Sequence, residues 1–201
     1  MSCIVEGHGE VAALPILLRR LANWRSPDIA IDVLAPIRVS RDRFLNRDDE
    51  FSRYLQLAGA KCGENGWVLI VLDADDDCPA DLGPGILARA RRLLPHRSLS
   101  VVLANREFES WFIGAAVSLY GCRGLSIDAA DARTDPEVPR DAKGWLRERM
   151  AGGVYGETTD QPAFATMMDM QQALERCRSF RKFCGEWDRQ IATFVDGWQT
   201  K

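Results

Sequence analysis

Val68-Leu69-Ile70-Val71-Leu72-Asp73-Ala74-Asp75-Asp76-Asp77 is the most informative stretch of this chain. Its five aliphatic residues are followed by four aspartates, interrupted only by an alanine. An unbroken apolar run of this kind is typical of a strand that is buried on both faces of a parallel sheet. The start of the chain is similar, because Cys3-Ile4-Val5 leads into Glu6-Gly7-His8-Gly9-Glu10. Since the carboxyl ends of parallel strands face one crevice, we expect the two acidic groups to share a site.

Strands and helices alternate along the first part of the chain. Turn signals and apolar periodicity predict strands at residues 2–5, 29–37, 67–72 and 99–104, helices at 10–24, 50–60 and 86–94, a loop at 38–49 and irregular chain at 79–84. A further helix is expected to open directly after the fourth strand, at residue 105. This alternation predicts an α/β fold, a Rossmann-like parallel sheet flanked by helices.

The character of the sequence changes after residue 120. Residues 121–139 are rich in Asp, Ala, Pro and Gly, and helical patterns follow at 140–150, 160–176 and 179–195. We therefore predict an α/β core over residues 1–120, with a loop and a helical C-terminal extension over residues 121–201 packed on that core. A length of 201 residues suits this organisation.

Composition narrows the class of protein. A net charge of −3 and a pI near 5.5 neither indicate nor exclude a nucleic-acid ligand. The six cysteines contain no Cys-x-x-Cys pair and the chain has two histidines, which disfavours a structural zinc site. We recognise no signal peptide before the first predicted strand, and no apolar run approaches the roughly 20 residues of a membrane span. The expectation is a cytoplasmic protein with free thiols and no membrane segment.

Asp73 and Asp75 are candidate ligands of Mg²⁺ or Mn²⁺. Both follow a predicted strand, and hard divalent cations prefer carboxylate oxygens. The alternative is a solvated aspartate-rich turn that caps the next helix. An EF-hand loop is a poorer fit, because its glycine and terminal glutamate positions are Cys78 and Pro84 here.

The segment from Glu6 to Glu10 contains a second candidate set. It is not a P-loop, because no Gly-Lys-Ser/Thr follows. Gly7 and Gly9 would let the backbone turn sharply and approach a substrate closely. Glu6 and Glu10 are one helical turn apart and are both candidate metal ligands. The alternative for Glu10 is that it interacts only with the helix dipole.

Two further acids follow the strand at 99–104. Glu107 and Glu109 are candidate metal ligands, but if a helix has begun there, only one of them can point at the site. Arg106 is a candidate substrate contact. Lys143, in a basic helical segment, would stabilise charge on a transferring phosphoryl group if it reaches the site.

Together these motifs resemble the Toprim fold, the catalytic domain of topoisomerases, primases and the overcoming-lysogenisation-defect nucleases. The family signature is a Glu-Gly after the first strand and an Asp-x-Asp after a later strand, which Glu6-Gly7 and Asp73-Ala74-Asp75 match. The Glu-x-Glu-x-Trp segment at 107–111 and the segment 155–159 are also similar to those of a small bacterial Toprim-like family. Its members resemble the Toprim halves of anti-phage nuclease systems, which are often encoded beside an ATPase.

The resemblance implies roles for individual residues. It implies a two-metal site in which Asp73 and Asp75 bind Mg²⁺ or Mn²⁺ and Glu6 is a ligand or general acid/base. Glu10 corresponds to the additional acid of the nuclease branch, and Lys143 to its late lysine. Glu107 or Glu109 would supply a further carboxylate. The chain lacks the glycine that commonly follows the Asp-x-Asp, a topoisomerase-type tyrosine and a primase zinc module, which favours hydrolysis over religation or priming.

The sequence therefore leads to a hypothesis of a metal-dependent nuclease that cleaves DNA or RNA, as the effector of an ATPase-associated anti-phage system. An ATPase is the expected partner protein, and a homodimer is possible. Two alternatives remain open at this point. The chain could be a catalytically silent regulatory subunit of an ATPase complex, or a metal-dependent phosphohydrolase of small molecules.

Overall fold

A computed structural model describes residues 1–199 of the chain. Four parallel strands form one sheet in the order β2-β1-β3-β4. Their bounds are β1 Ser2–Val5, β2 Ile37–Arg38, β3 Trp67–Asp73 and β4 Ser98–Ala104. Helices flank this sheet, so the predicted α/β class is confirmed, and the parallel sheet is consistent with a Rossmann-like fold.

The helices are α1 His8–Arg25, α2 Arg41–Asn46, α3 Asp48–Cys62, α4 Pro79–Leu93, α5 Ser110–Gly114, α6 Ala142–Arg149, α7 Glu157–Met167, α8 Met170–Arg176 and α9 Arg178–Gln199. Short 3₁₀ turns occupy part of the segment between α5 and α6, where a loop was predicted. None of the helices in the described chain is long and apolar enough to span a membrane.

The central strand β3 explains why its sequence does not alternate. All seven of its residues are buried, because helices cover both faces of the sheet. Val68, Ile70 and Leu72 pack in a cluster with α3 and α4, whereas Leu69 and Val71 pack in a second cluster with α1 and the C-terminal helices. Each fully buried aliphatic side chain contributes about 1.5–3 kcal/mol to folding. The strand thereby fixes the position of the aspartates that follow it.

The second strand is much shorter than predicted. It contains only Ile37 and Arg38, which pair with Ile4 and Val5, and residues 29–36 are not part of the sheet. Pro36 lies at the boundary, and proline cannot donate a hydrogen bond to a neighbouring strand. The predicted strand at 29–37 is therefore wrong except for its last residue.

Helices begin at different places from those predicted. α2 and the start of α3 lie within the expected loop at 38–49. α4 begins at Pro79, where irregular chain was expected, because proline is tolerated in the first helical turn. α5 begins at Ser110, so Glu107 and Glu109 precede it. Glu107 and Glu109 therefore lie in a turn rather than on a helix, which changes the directions their side chains can take.

The chain after residue 120 completes the core on one face of the sheet. α7 packs along α1, and α9 packs on β4. Trp187 of α9 meets Trp67 of β3 with ring centroids 5.8 Å apart. The C-terminal helices and the sheet therefore share one hydrophobic cluster.

Candidate functional site

Carboxylates from three adjacent strand ends come together at the carboxyl edge of the sheet. Glu6 follows β1, Asp73 is the last residue of β3, and Glu109 lies in the turn after β4. Asp73 is buried, and burial together with the charges of Glu10 and Glu109 raises its pKa well above the usual range. The acids therefore lie close enough to disfavour one another's ionisation, as the strand-end argument predicted.

Glu10 caps α1 and also lies near the other acids, and its role as a metal ligand stays a prediction. Its Oε2 accepts hydrogen bonds from the backbone N–H groups of Glu6 and Gly7, both at 3.1 Å, and so caps the start of α1. Its charge also raises the pKa of Asp73 and of Glu6. A Cβ atom at residue 7 would lie 2.5 Å from Glu10 Oε1. Gly7 is thus explained by the closeness of the Glu10 carboxylate.

Gly9 lies in the contact between α1 and α7. It is buried, and a Cβ atom there would lie 2.5 Å from the backbone oxygen of Glu157 and would also overlap the side chain of Gln161. The structure places Gly9 in helix packing rather than at an open surface. Its expected contact with a substrate has no support in this geometry.

Asp73 ties the end of β3 to the turn after β4. Its Oδ1 accepts a hydrogen bond of 2.7 Å from the backbone N–H of Phe108. Phe108 is itself fully buried and anchors the turn that carries Glu107 and Glu109. The carboxylate is therefore held in place by backbone structure rather than by a flexible partner.

Asp75 occupies the exposed side of the cluster. Its φ of 51° places it in the left-handed region, where aspartate is tolerated better than most residues. Its charge contributes to the raised pKa of Glu6. Arg41 Nη1 lies 3.3 Å from Asp75 Oδ2, and Arg41 also donates to the backbone oxygen of Asp73 at 2.8 Å. Arg41 is not among the predicted site residues, because it lies in a segment whose sequence predicts a loop.

Glu109 has the most enclosed carboxylate of the site. Its side chain is fully buried, and Oε1 accepts hydrogen bonds from Tyr155 Oη at 3.1 Å and from Gln161 Nε2 at 2.7 Å. Oε2 is buried and has no hydrogen-bond partner within the described chain. Burial raises the pKa of Glu109 to about 7, although Lys143 opposes the shift. Burial and the charge of Glu109 also raise the pKa of Tyr155.

Glu107 points towards α6. Its Oε2 accepts a hydrogen bond of 2.9 Å from the backbone N–H of Lys143, in the first turn of that helix. We expected only one of Glu107 and Glu109 to point at the site, on the premise that a helix had already begun. The premise is not met, because α5 begins at Ser110. The charges of both glutamates act on Lys143, and only Glu109 is fully buried.

Lys143 lies among these acids, as the sequence hypothesis required. Its Nζ is 3.2 Å from Glu157 Oε1. Burial alone would lower the pKa of Lys143, but the charges of Glu109, Asp73 and the neighbouring glutamates outweigh burial and raise it. Glu157 was not predicted as a site residue. It belongs to α7, and only tertiary packing brings it to the strand ends.

Glu6 provides a second unpaired oxygen. Its Oε2 is buried without a hydrogen-bond partner in the described residues, and burial followed by the charges of Asp75 and Glu10 raises its pKa to about 7. An unpaired buried carboxylate oxygen is costly unless a cation or a proton satisfies it. Within residues 1–199, no group of three His, Cys, Asp or Glu already forms a metal-binding set. Lys143 provides the counter-charge in this arrangement.

Arg106 binds the aspartate-rich loop that follows β3. Its φ is 66°, and its Nη1 donates to the backbone oxygen of Asp75 at 3.1 Å and to Asp76 Oδ1 at 2.7 Å. Arg140 reaches the same Asp76 oxygen at 3.0 Å. Arg106 thus lies beside the site and braces the loop, and its contact with a substrate stays a prediction.

Comparison with known proteins places the chain in a family. No curated protein and no solved structure matches it. A family model described as "Domain of unknown function (DUF4276)" matches residues 5–186. This range includes every acid described above, together with Lys143, Tyr155 and Gln161. The chain therefore belongs to the DUF4276 family.

Proposed function

We propose that this protein is a Mg²⁺- or Mn²⁺-dependent phosphodiesterase that hydrolyses DNA or RNA. The observation that carries the proposal is the pair of buried, unpaired carboxylate oxygens, Glu6 Oε2 and Glu109 Oε2, beside Asp73 and Glu10. Oxygen atoms of carboxylates are the ligands that Mg²⁺ and Mn²⁺ prefer. The residue types present therefore suit a hard divalent cation better than zinc, which favours cysteine and histidine. Binding would draw the carboxylates closer together, since no three of them in the described residues are already arranged as a metal-binding set.

Glu6, Asp73 and Glu109 would hold the cation, with Glu10 and Asp75 adjacent to them. When bound, such cations supply Lewis-acid activation of water and of a phosphate group. The cation would also offset the burial of Asp73 and the charges of Glu10 and Glu109, which together raise its pKa.

The protein's own side chains would accept the proton, neutralise developing charge and orient the ligands. Glu6, which would bind the cation through one carboxylate oxygen, would accept the proton of an attacking water with the other. Lys143 Nζ, held by Glu157, would neutralise charge that develops on the phosphoryl oxygens. Tyr155 and Gln161 orient Glu109 through its Oε1 and leave Oε2 free.

Two arguments support nucleic acid as the substrate. The Glu6-Gly7 and Asp73-Ala74-Asp75 motifs resemble those of Toprim nucleases. Asp75 lies on the exposed side of the cluster, where a phosphodiester in a long polymer can approach without entering a closed pocket. The same resemblance supports an ATPase as a partner protein that is required for cleavage.

A nuclease assay tests the proposal. Plasmid DNA and total tRNA are incubated with the protein in Mn²⁺, Mg²⁺ or EDTA, with and without the ATPase encoded nearby, if there is one. We expect cleavage only with metal, and a loss of about 10²- to 10⁴-fold in Glu6→Gln. Glu64→Gln is the matched control, because Glu64 is exposed in the turn at the opposite end of β3.

Three results would contradict the proposal, and two of them favour another function. Cleavage that persists in EDTA or in Glu6→Gln would show that the cluster is not catalytic. Hydrolysis of nucleotides or small phosphate esters without nucleic-acid cleavage would favour the phosphohydrolase alternative. Absence of both activities and of Mn²⁺ binding by calorimetry would favour a silent regulatory subunit.

A further inference from the structure

β4 forms one of the two edges of the sheet. In the described structure β4 pairs only with β3, and the backbone oxygen of Ala104 accepts a hydrogen bond of 2.9 Å from the N–H of Ala74. The even-numbered residues of β4 therefore direct their backbone groups towards β3. Val101 and Leu103 direct theirs to the open edge, where an edge strand presents unpaired N–H and C=O groups.

A groove of about 730 Å³ runs along this edge between α4 and α9. Val101 and Leu103 line it from the strand and Leu87 lines it from α4. Gly83 of α4 also lines the groove, and because it lacks a side chain α4 leaves space beside Leu103, which a Cβ atom at residue 83 would approach to 4.0 Å. The groove is thus apolar at its base and has a strand edge as one of its surfaces.

The charges around the groove are mostly satisfied by partners within residues 1–199: Asp76 pairs with Arg106, Asp77 with Arg41 and Lys182 with Glu186, and Glu137 accepts hydrogen bonds from Ser179 and Asn105. Arg178 is different. It lines the groove, is exposed, and makes no ion pair with another described residue. Among the described residues, Arg178 therefore provides a positive charge at the rim without an ion-pair partner, and Glu137, which accepts only from neutral donors, provides a negative one.

We propose that this groove binds an extended segment of a partner protein, which adds as a further strand along β4. The outward backbone groups of Val101 and Leu103 require a ligand with its own backbone donors and acceptors, which an extended polypeptide supplies and a helix does not. The apolar base selects aliphatic side chains at alternate positions, and Arg178 selects a carboxylate at the rim. This inference is independent of the proposed catalytic activity, because none of its contacts uses the acidic cluster.

A peptide-binding experiment on the full chain tests this inference. The probe is a fluorescent, acetylated peptide of about eight residues in which valine and threonine alternate, with one aspartate. We expect saturable binding and slower hydrogen exchange at the amides of Val101 and Leu103, with little change at Val102. A peptide with lysine in place of aspartate should bind about two- to fivefold more weakly, and Arg178→Glu should reverse that preference.

Val101→Pro is the decisive variant. Its missing N–H faces the groove, so the hydrogen bonds between β3 and β4 remain and the sheet folds, while peptide affinity falls about tenfold. Absence of binding by either peptide up to about 1 mM would overturn the proposal. Hydrogen exchange at the amides of Val101 and Leu103 could also slow as the protein concentration rises, without any peptide. That result would overturn the assignment of a partner protein and show that a second copy of the chain binds at this edge.

Discussion

At the scale of single residues, Glu109 illustrates a conflict between stability and function. The folded-state pKa of Glu109, about 7, lies above its ordinary value of 4.5, so ionisation of Glu109 destabilises the metal-free fold. The cost is absent below about pH 4.5, grows up to about pH 7 and is complete above it. Glu109→Gln keeps an acceptor for Tyr155 and Gln161 and removes the charge.

We therefore expect Glu109→Gln to raise the free energy of unfolding of the metal-free protein by about 1–3 kcal/mol near pH 8. The gain should largely disappear near pH 5, where the wild-type carboxyl is protonated. Urea denaturation in EDTA at both values measures the difference. An unchanged or lower stability of the variant near pH 8 would contradict the account of Glu109 as an uncompensated charge.

Sequence reasoning located some site residues and missed others for a physical reason. Glu6 and Asp73 could be predicted because each directly follows an apolar strand, and local order alone places them at the sheet edge. Glu157 and Gln161 could not, because they approach the acids only through the packing of α7 on α1. Arg41 gave no signal either, since its helix is six residues long and lacks a clear periodicity.

At the scale of secondary-structure elements, the contact between α1 and α7 controls the site. Gly9→Ala would force α7 away from α1, because its Cβ atom would overlap Glu157 and Gln161. We expect a loss of about 1–3 kcal/mol in stability and weaker Mn²⁺ binding, since Gln161 would no longer hold Glu109. Thermal denaturation and calorimetric Mn²⁺ titration measure the two effects.

Gly85→Ala is the matched control for Gly9→Ala, because Gly85 is also helical and its Cβ atom would meet nothing. We expect this variant to be neutral or stabilised by about 0.5–1 kcal/mol, with unchanged Mn²⁺ affinity. If Gly9→Ala behaved in the same way, close packing of α7 on α1 would not be what positions Glu109.

The attachment of α9 to the sheet should depend on pH. Burial alone would raise the pKa of Glu186, but hydrogen bonds with Lys182, Ser100 and Arg189 outweigh burial and lower it. A carboxyl with a lowered folded-state pKa stabilises the fold above its unfolded pKa, and this stability is lost as the pH falls through the folded value. We expect Glu186→Gln to cost about 1–2 kcal/mol at neutral pH.

Thermal denaturation of wild type and Glu186→Gln between about pH 7 and pH 3 tests this prediction. The difference between the two should shrink as the pH falls, because the wild-type carboxyl becomes neutral like the glutamine. Glu64→Gln, on an exposed turn, should show no such difference at any pH. A Glu186→Gln deficit that stays constant down to pH 3 would mean that packing, not charge, links α9 to the sheet.

At the scale of the whole molecule, the fold class could be predicted from the sequence, but the full set of residues that form the site could not. The buried run in β3 and the alternation of strands and helices were sufficient to predict a parallel α/β sheet. The shortness of β2 was not foreseen, because apolar residues at 29–34 pack as irregular chain instead of joining the sheet. The C-terminal helices were predicted as an extension, but their share in the site follows only from long-range packing.

A bound cation should therefore stabilise the molecule as one unit. Its proposed ligands come from the ends of β1, β3 and β4, and they are held by Lys143 of α6, by Gln161 of α7 and by Tyr155 in the segment before α7. A ligand that binds only the folded state stabilises it by about 2.7 kcal/mol at 100 times its Kd, which corresponds to a rise in Tm of roughly 5–10 °C for a chain of this size. We expect Mn²⁺ to produce this rise near pH 8 in wild type and in Glu64→Gln. Asp73→Asn should abolish it, and an unchanged wild-type Tm in millimolar Mn²⁺ would refute the metal site itself, whatever the substrate.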